Sequence, residues 1–192
     1  MPTATAKYYS LEEYFEREEK SPLRHEYYEG EIFTMSGGSP SHVSISLNIG
    51  AELRLALRGR EGIAYGNDMR VVSPTGLLTY PDATAVRSKP EFVTHSGLKT
   101  LTNPTLITDV LSPSTEAYDR GKKFENYKPI PALKNHLFVA QDKPRVELFT
   151  RQTSEQWDLT IVEGLDAEIL LPELDITLAL AEIYEKVEFS AS

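Results

Sequence analysis

Cysteine is absent from all 192 residues, which excludes a disulfide-stapled secreted domain, a thiolate metal site and a cysteine nucleophile. Long hydrophobic runs are missing too. The longest, such as Leu170-Leu171 and Leu178-Ala179-Leu180-Ala181, fall far short of the roughly 20 residues a helix needs to cross a bilayer. Met1 to Lys7 is small and polar with no apolar stretch, so no secretory leader is expected and the chain reads as cytoplasmic. Positive charge is scarce: 20 Lys and Arg stand against 29 Asp and Glu, a net charge of −9. Non-specific nucleic-acid binders are usually basic, because cations displace counterions from phosphates. An acidic chain can hold a phosphodiester only through a local basic patch and divalent metal ions.

Several familiar motifs are also lacking. No Gly-x-Ser-x-Gly elbow, Gly-x-Gly-x-x-Gly loop or P-loop occurs, which removes the usual serine hydrolase, dinucleotide and NTPase readings. His25, His42, His95 and His136 show no pairing at zinc-ligand spacing. His42, near a helix start, reads as a capping or packing residue. Trp157 and the tyrosines read as core and rim, and Arg54, Arg58 and Arg60 as a solvated helix end.

What is present fits one α/β domain over residues 1–192, a mixed sheet flanked by helices. Ser10-Leu11-Glu12-Glu13 has the form of a capping box, predicting a helix from Ser10 to about Glu19. His25 to Met35 reads as a hairpin turning at Glu29-Gly30. The loop Gly37-Gly38-Ser39-Pro40-Ser41 ends in a serine cap before a helix from His42 to about Leu57. Ile63 to Val72 and Leu77 to Val86 flank Ser73-Pro74-Thr75-Gly76, a turn sequence that predicts an antiparallel pair. Lys89 to Asn103 is polar and loop-like. Leu106 to Leu111 is a nearly continuous apolar run, the pattern of a central buried strand. A helix is predicted over Glu116 to Lys128, stopped by Pro129 and Pro131. Leu137 to Ala140, Val146 to Arg151 and Trp157 to Val162 follow as strands, and Thr177 to Glu185 as a short terminal helix.

Chemistry is sought where acids are costly. Asp109 shares a strand face with the apolar Ile107 and Leu111, so its carboxylate must be paired, hydrogen-bonded or metal-bound. Asp82 follows Tyr80-Pro81 inside an apolar strand, where proline cannot donate to a ladder and the strand bends or lies at an edge. Two acids on neighbouring strands supply the oxygen ligands a hard divalent cation requires. The bland alternative is a bend cap at Asp82 and one ion pair at Asp109. In Tyr118-Asp119-Arg120-Gly121-Lys122-Lys123-Phe124, Asp119 and Lys123 stand four apart, the spacing of an ordinary helical ion pair. Lys123 can equally point back over the strand ends and stabilise a phosphate.

Three blocks then carry a resemblance. Tyr80-Pro81-Asp82, Pro104 to Thr115, and Tyr118 to Phe124 with Tyr127 resemble the Uma-type restriction endonuclease family of bacteria, within the PD-(D/E)XK nuclease superfamily. Arg24 to Ile32 and Val139 to Phe149 resemble it as well. The resemblance implies a restriction endonuclease-like core and a Mg²⁺- or Mn²⁺-dependent DNA endonuclease working as a homodimer. It implies Asp82 and Asp109 as metal ligands and the main-chain carbonyl of Val110 as a further one. The superfamily's lysine lies two residues after the second acid, where this chain has Leu111, so the resemblance moves that role to Lys123. Glu26 would complete the metal site or hold a water. The family usually carries glutamate at position 109; aspartate draws the carboxylate back by roughly 1.5 Å in a shell where magnesium tolerates little error. Two rival readings stand beside this: a nuclease-fold binding or assembly module that has lost cleavage, and a metal-dependent hydrolase of a small phosphate ester.

Overall fold

A computed structural model of the chain describes residues 8–35 and 37–189; the leader reading of Met1 to Lys7 lies outside them. The capping box at Ser10 forms as expected, with Ser10 and Glu13 exchanging side-chain and backbone hydrogen bonds, and starts α1 (Leu11–Lys20). The hairpin β1 (His25–Tyr28) and β2 (Glu31–Thr34) follows. The second helix begins earlier than expected. Ser39, not Ser41, caps it by accepting from the His42 amide, Pro40 takes the first turn, and α2 runs Pro40–Ala56. That arrangement uses the missing N–H of proline where no donor is needed.

The predicted pairing of Ile63 to Val72 with Leu77 to Val86 is antiparallel, but it is divided between two sheets. The outer ends, β3 (Ile63–Gly66) and β6 (Ala83–Val86), pair with each other. The inner ends, β4 (Val71–Val72) and β5 (Leu78–Thr79), pair around the turn. The break falls at Tyr80-Pro81-Asp82, where proline interrupts the ladder. Lys89 to Asn103 is not simply a loop. It contains the hairpin β7 (Phe92–His95) and β8 (Leu98–Leu101), turned at Ser96 and Gly97 with φ of 49° and 79°, the left-handed pair that a tight hairpin demands.

One six-stranded sheet has the order β2-β1-β5-β4-β8-β7. The other has the order β12-β11-β10-β9-β6-β3. It is built on β9 (Leu106–Leu111), buried at every residue, with β10 (Asn135–Ala140) parallel to it. β11 (Arg145–Arg151) runs antiparallel to β10, and β12 (Trp157–Glu163) antiparallel to β11. On one side of this sheet, Ile45, Ile49 and Leu53 of α2 pack with Leu106, Val110, Leu137 and Val139. The opposite side receives the helical segment after β9, made of α3 (Glu116–Tyr118), a π-helical turn over Asp119–Lys123, and α4 (Phe124–Tyr127). There Ile107 meets Tyr127, and Leu111 meets Phe124 and Phe138. Strand alternation therefore aims Asp109 at this second helical segment.

The end of the chain differs from expectation. Thr177 to Glu185 starts within strand β14 (Ile176–Ala179), paired with β13 (Glu168–Leu171), and only Leu180–Ile183 forms a helical turn, α5. Alternating burial along Ile176, Thr177 and Leu178 is the strand period of two, which a short window confuses with a helix. No helix among the described residues is long and apolar enough to cross a membrane.

Candidate active site

A cleft of about 620 Å³ opens where β1, the Gly37–Ser39 loop, the ends of β6 and β9, and the α3–π segment meet. Glu26, Asp82, Asp109, Val110 and Lys123 all line it, so the structure brings these five residues to one place.

Asp82 sits where the β6 ladder stops. The Val110 amide donates to its Oδ2 at 2.7 Å, so the side chain replaces the ladder bond lost beside Pro81. Its other oxygen, Oδ1, accepts from His42 Nε2 at 2.8 Å and from Ser46 Oγ at 2.9 Å. His42 and Ser46 stand one turn apart on α2, which puts both donors on one helix face. Gly38 allows the preceding loop to close over the imidazole: a Cβ there would lie 2.7 Å from His42 Cδ2. The hydrogen bond to Asp82 raises the His42 pKa above its ordinary value, against the opposing effect of burial. Asp82 stays partly open to the cleft, its side chain 16% exposed.

Asp109 is enclosed instead, at 2% exposure. Lys123 Nζ donates to its Oδ1 at 2.9 Å and His136 Nε2 to its Oδ2 at 2.9 Å. Burial by itself would raise this carboxyl, but Lys123 and His136 together hold it well below the usual carboxylate range. The ammonium of Lys123 also lies 3.4 Å from Asp119 and 3.5 Å from Glu26. Although burial disfavours its charge, these acids and Tyr127 raise its pKa well above the ordinary lysine value. The four-residue spacing of Asp119 and Lys123 does form an ion pair, but a buried one that spans a kink in the helical segment. Gly121, with φ −100° and ψ −105°, departs from helical backbone there. Glu26 accepts from the Thr79 hydroxyl, and Tyr118 OH reaches its other oxygen at 3.4 Å.

Among the described residues no three His, Asp or Glu side chains stand ready in a metal-binding cluster. The donor chemistry nevertheless fits a divalent cation. Four carboxylates, Glu26, Asp82, Asp109 and Asp119, line the cleft with Lys123 as the one ammonium. Asp82 Oδ2 and both Asp109 oxygens each accept a single bond, leaving lone pairs free for a hard cation, which keeps several of its own waters.

Five contributors are not evident from the sequence. The place of His42 near a helix start suggests only a cap or packing residue, yet its ring holds Asp82 together with Ser46, and the His42–Ser46 spacing is the one available clue. His136 is invisible to local pattern, because only the parallel β9–β10 register, His136 opposite Ile107, carries it to Asp109. Asp119 and Tyr118 come to the cleft just before the kink at Gly121, which no periodicity announces.

Residues 11–181 match the model of the Uma2 family, described as "Putative restriction endonuclease". Two uncharacterized Synechocystis sp. proteins are similar along nearly their whole length. One, sll1609, is 34% identical over 88% of this chain and 96% of its own; the other, slr1290, is 30% identical over 98% and 97%. A crystal structure described as "a putative nuclease belonging to DUF820", from Anabaena variabilis, superposes with a TM-score of 0.69 at 16% identity. It covers 85% of this chain and 91% of that one. That likeness bears on the fold, a mixed sheet flanked by helices with a restriction endonuclease-like core.

Proposed function

The chain belongs to the Uma2 family, and on that footing we propose that it is a single-domain, Mg²⁺- or Mn²⁺-dependent endonuclease that hydrolyses DNA phosphodiester bonds. The observation that carries this reading is the surplus of carboxylate in the cleft. Four acids face one ammonium, and a phosphodiester, itself an anion, is admitted only when a cation offsets them. Asp82 and Asp109 would hold the metal with the carbonyl of Val110, and Glu26 would hold a water. Once bound, the metal would supply a water of lowered pKa and neutralise charge on the phosphate. Lys123 would keep Asp109 ionised and set the positive charge of the site at its floor. His42 and Ser46 would orient Asp82, as hydrogen-bonded partners commonly orient ligating carboxylates.

Plasmid DNA with Mg²⁺ or Mn²⁺ tests this. The native chain is expected to nick it, and Asp82→Ala to abolish nicking. A native chain that neither nicks nor takes up metal sinks the reading. Asp109→Glu restores the family's usual acid and is expected to raise the rate.

One feature favours the second reading, a binding module that no longer cleaves: both Asp109 oxygens are already engaged by Lys123 and His136. DNA retention without cleavage or metal uptake would select it.

A further inference from the structure

The outermost strand of the β9-containing sheet is unusual for an edge. Edges are normally kept short or guarded by lysine, proline or bulges, since their free amides and carbonyls invite another strand. Here β12 is seven residues long, WDLTIVE, with no lysine or proline, and no strand among the described residues lies outside it. Two of its aliphatic side chains, Leu159 at 48% and Ile161 at 47%, are exposed.

The register tells which groups are free. Gly164 N donates to Pro144 O and Gln152 N to Gln156 O, and both pairs continue the β11–β12 alignment of Arg145 with Glu163 and Arg151 with Trp157. Hydrogen-bonded pairs in an antiparallel ladder recur at every second residue. Asp158, Thr160 and Val162 therefore bond inward to β11, and Trp157, Leu159, Ile161 and Glu163 turn their amides and carbonyls outward.

We propose that β12 is a homodimer interface, pairing antiparallel with β12 of a second copy about a two-fold axis at Thr160. This register matches every outward amide and carbonyl of the strand. It sets Leu159 opposite Ile161 of the partner subunit, and the reverse, so both exposed aliphatics on each strand are covered by their counterparts. Trp157 falls opposite Glu163 of the partner subunit. Arg151, whose guanidinium lies 4.6 Å from the Trp157 ring centroid, is then beside that carboxylate, so charges across the axis are complementary. Asp158 meets Val162 of the partner subunit, and no like charges oppose one another. Self-complementarity of one patch is the condition for a two-fold interface. The proposal does not depend on the hydrolytic reading, because Asp109 lies on β9, inside the same sheet, with β10 and β11 between it and β12.

Sedimentation of the full chain, with far-UV circular dichroism to confirm folding, tests it. The native chain is expected at twice its monomer mass. Leu159→Lys with Ile161→Lys, which opposes like charges, is expected to be a folded monomer. Leu159→Lys with Ile161→Glu, which opposes unlike ones in this register only, is expected to remain dimeric. Thr160→Cys provides a readout independent of surface charge. The two copies of residue 160 would form a non-hydrogen-bonded pair with Cα atoms about 4.5 Å apart, inside the range a disulfide spans. In a chain without cysteine, diamide should crosslink Thr160→Cys and leave Leu159→Cys uncrosslinked. A native chain that stays monomeric to its solubility limit, a dimer indifferent to the paired lysines, or equal crosslinking at 159 and 160 would overturn the proposal.

Discussion

Asp82 and Asp109 line the same cleft, yet their surroundings divide the labour between them. Asp82, at the rim, is held by groups that are neutral or only partly charged: a backbone amide, a serine hydroxyl and an imidazole. Asp109, at the floor, is held by an ammonium and a second imidazole and is almost sealed from water. A buried charge must be compensated inside the fold, and Lys123 does this for Asp109 while lying within ion-pair distance of Glu26 and Asp119. The rim acid needs no such partner, since water screens it. The floor therefore sets stability, and the rim meets the solvent from which the proposed metal and substrate would arrive.

The largest effect is expected from breaking the floor. Lys123→Met leaves Asp109 and Asp119 buried without their ammonium, a change that costs about 3–5 kcal/mol. Urea unfolding followed by circular dichroism would read this as a sharply lowered midpoint, and a midpoint near that of the native chain would refute the division. At the rim, Asp82→Ala strands the Val110 amide and the His42 ring, while Ser46 keeps the His42 carbonyl as its acceptor. Leaving buried groups unsatisfied costs about 1–3 kcal/mol, so this variant is expected to fold less stably than the native chain but more stably than Lys123→Met. Calorimetric titration with Mg²⁺ should nonetheless find its metal uptake abolished. A variant that keeps full uptake would show that the rim acid is not a ligand.

The uneven legibility of these two acids in the sequence follows from the same difference. Asp109 was conspicuous because a charge inside Leu-Ile-Thr-Asp-Val-Leu violates a strong local pattern, and Pro81 marked the strand break that frees Asp82. The capping box, the Glu29-Gly30 hairpin and the central strand were equally local and form as expected. Which groups answer those acids was hidden. His136 reaches Asp109 through a parallel register set by β10, and Lys123 meets three carboxylates where the helical segment kinks at Gly121. The division of one antiparallel pair between two sheets escaped for the same reason, being fixed by which strands arrive later in the chain. Local alternation and capping are written in a few consecutive residues; pairing between distant strands is not.

A third acid on the same face of the sheet marks the mild end of the comparison. Glu147 lies across from Phe138, which lies across from Asp109, and it is bridged by Arg120 at 2.6 and 2.9 Å and by Arg145 at 3.0 Å. Its hydrogen bond to Arg120, ahead of the opposing effect of burial, holds its carboxyl below the ordinary value of 4.5. A carboxylate with a lowered folded-state pKa contributes stability that is present above its unfolded value and is lost as pH falls through the folded one. Glu147→Gln cannot ionise and gives up this contribution at neutral pH. Its unfolding midpoint should fall slightly below that of the native chain near about pH 7 and converge with it as pH falls through the lowered folded-state value. Added salt should narrow the gap at neutral pH, because the guanidiniums that bridge Glu147 are 33% and 26% exposed, where Lys123 is sealed beside Asp109. A gap that ignored both pH and salt would place Glu147 with the sealed floor and erase the contrast between the two environments.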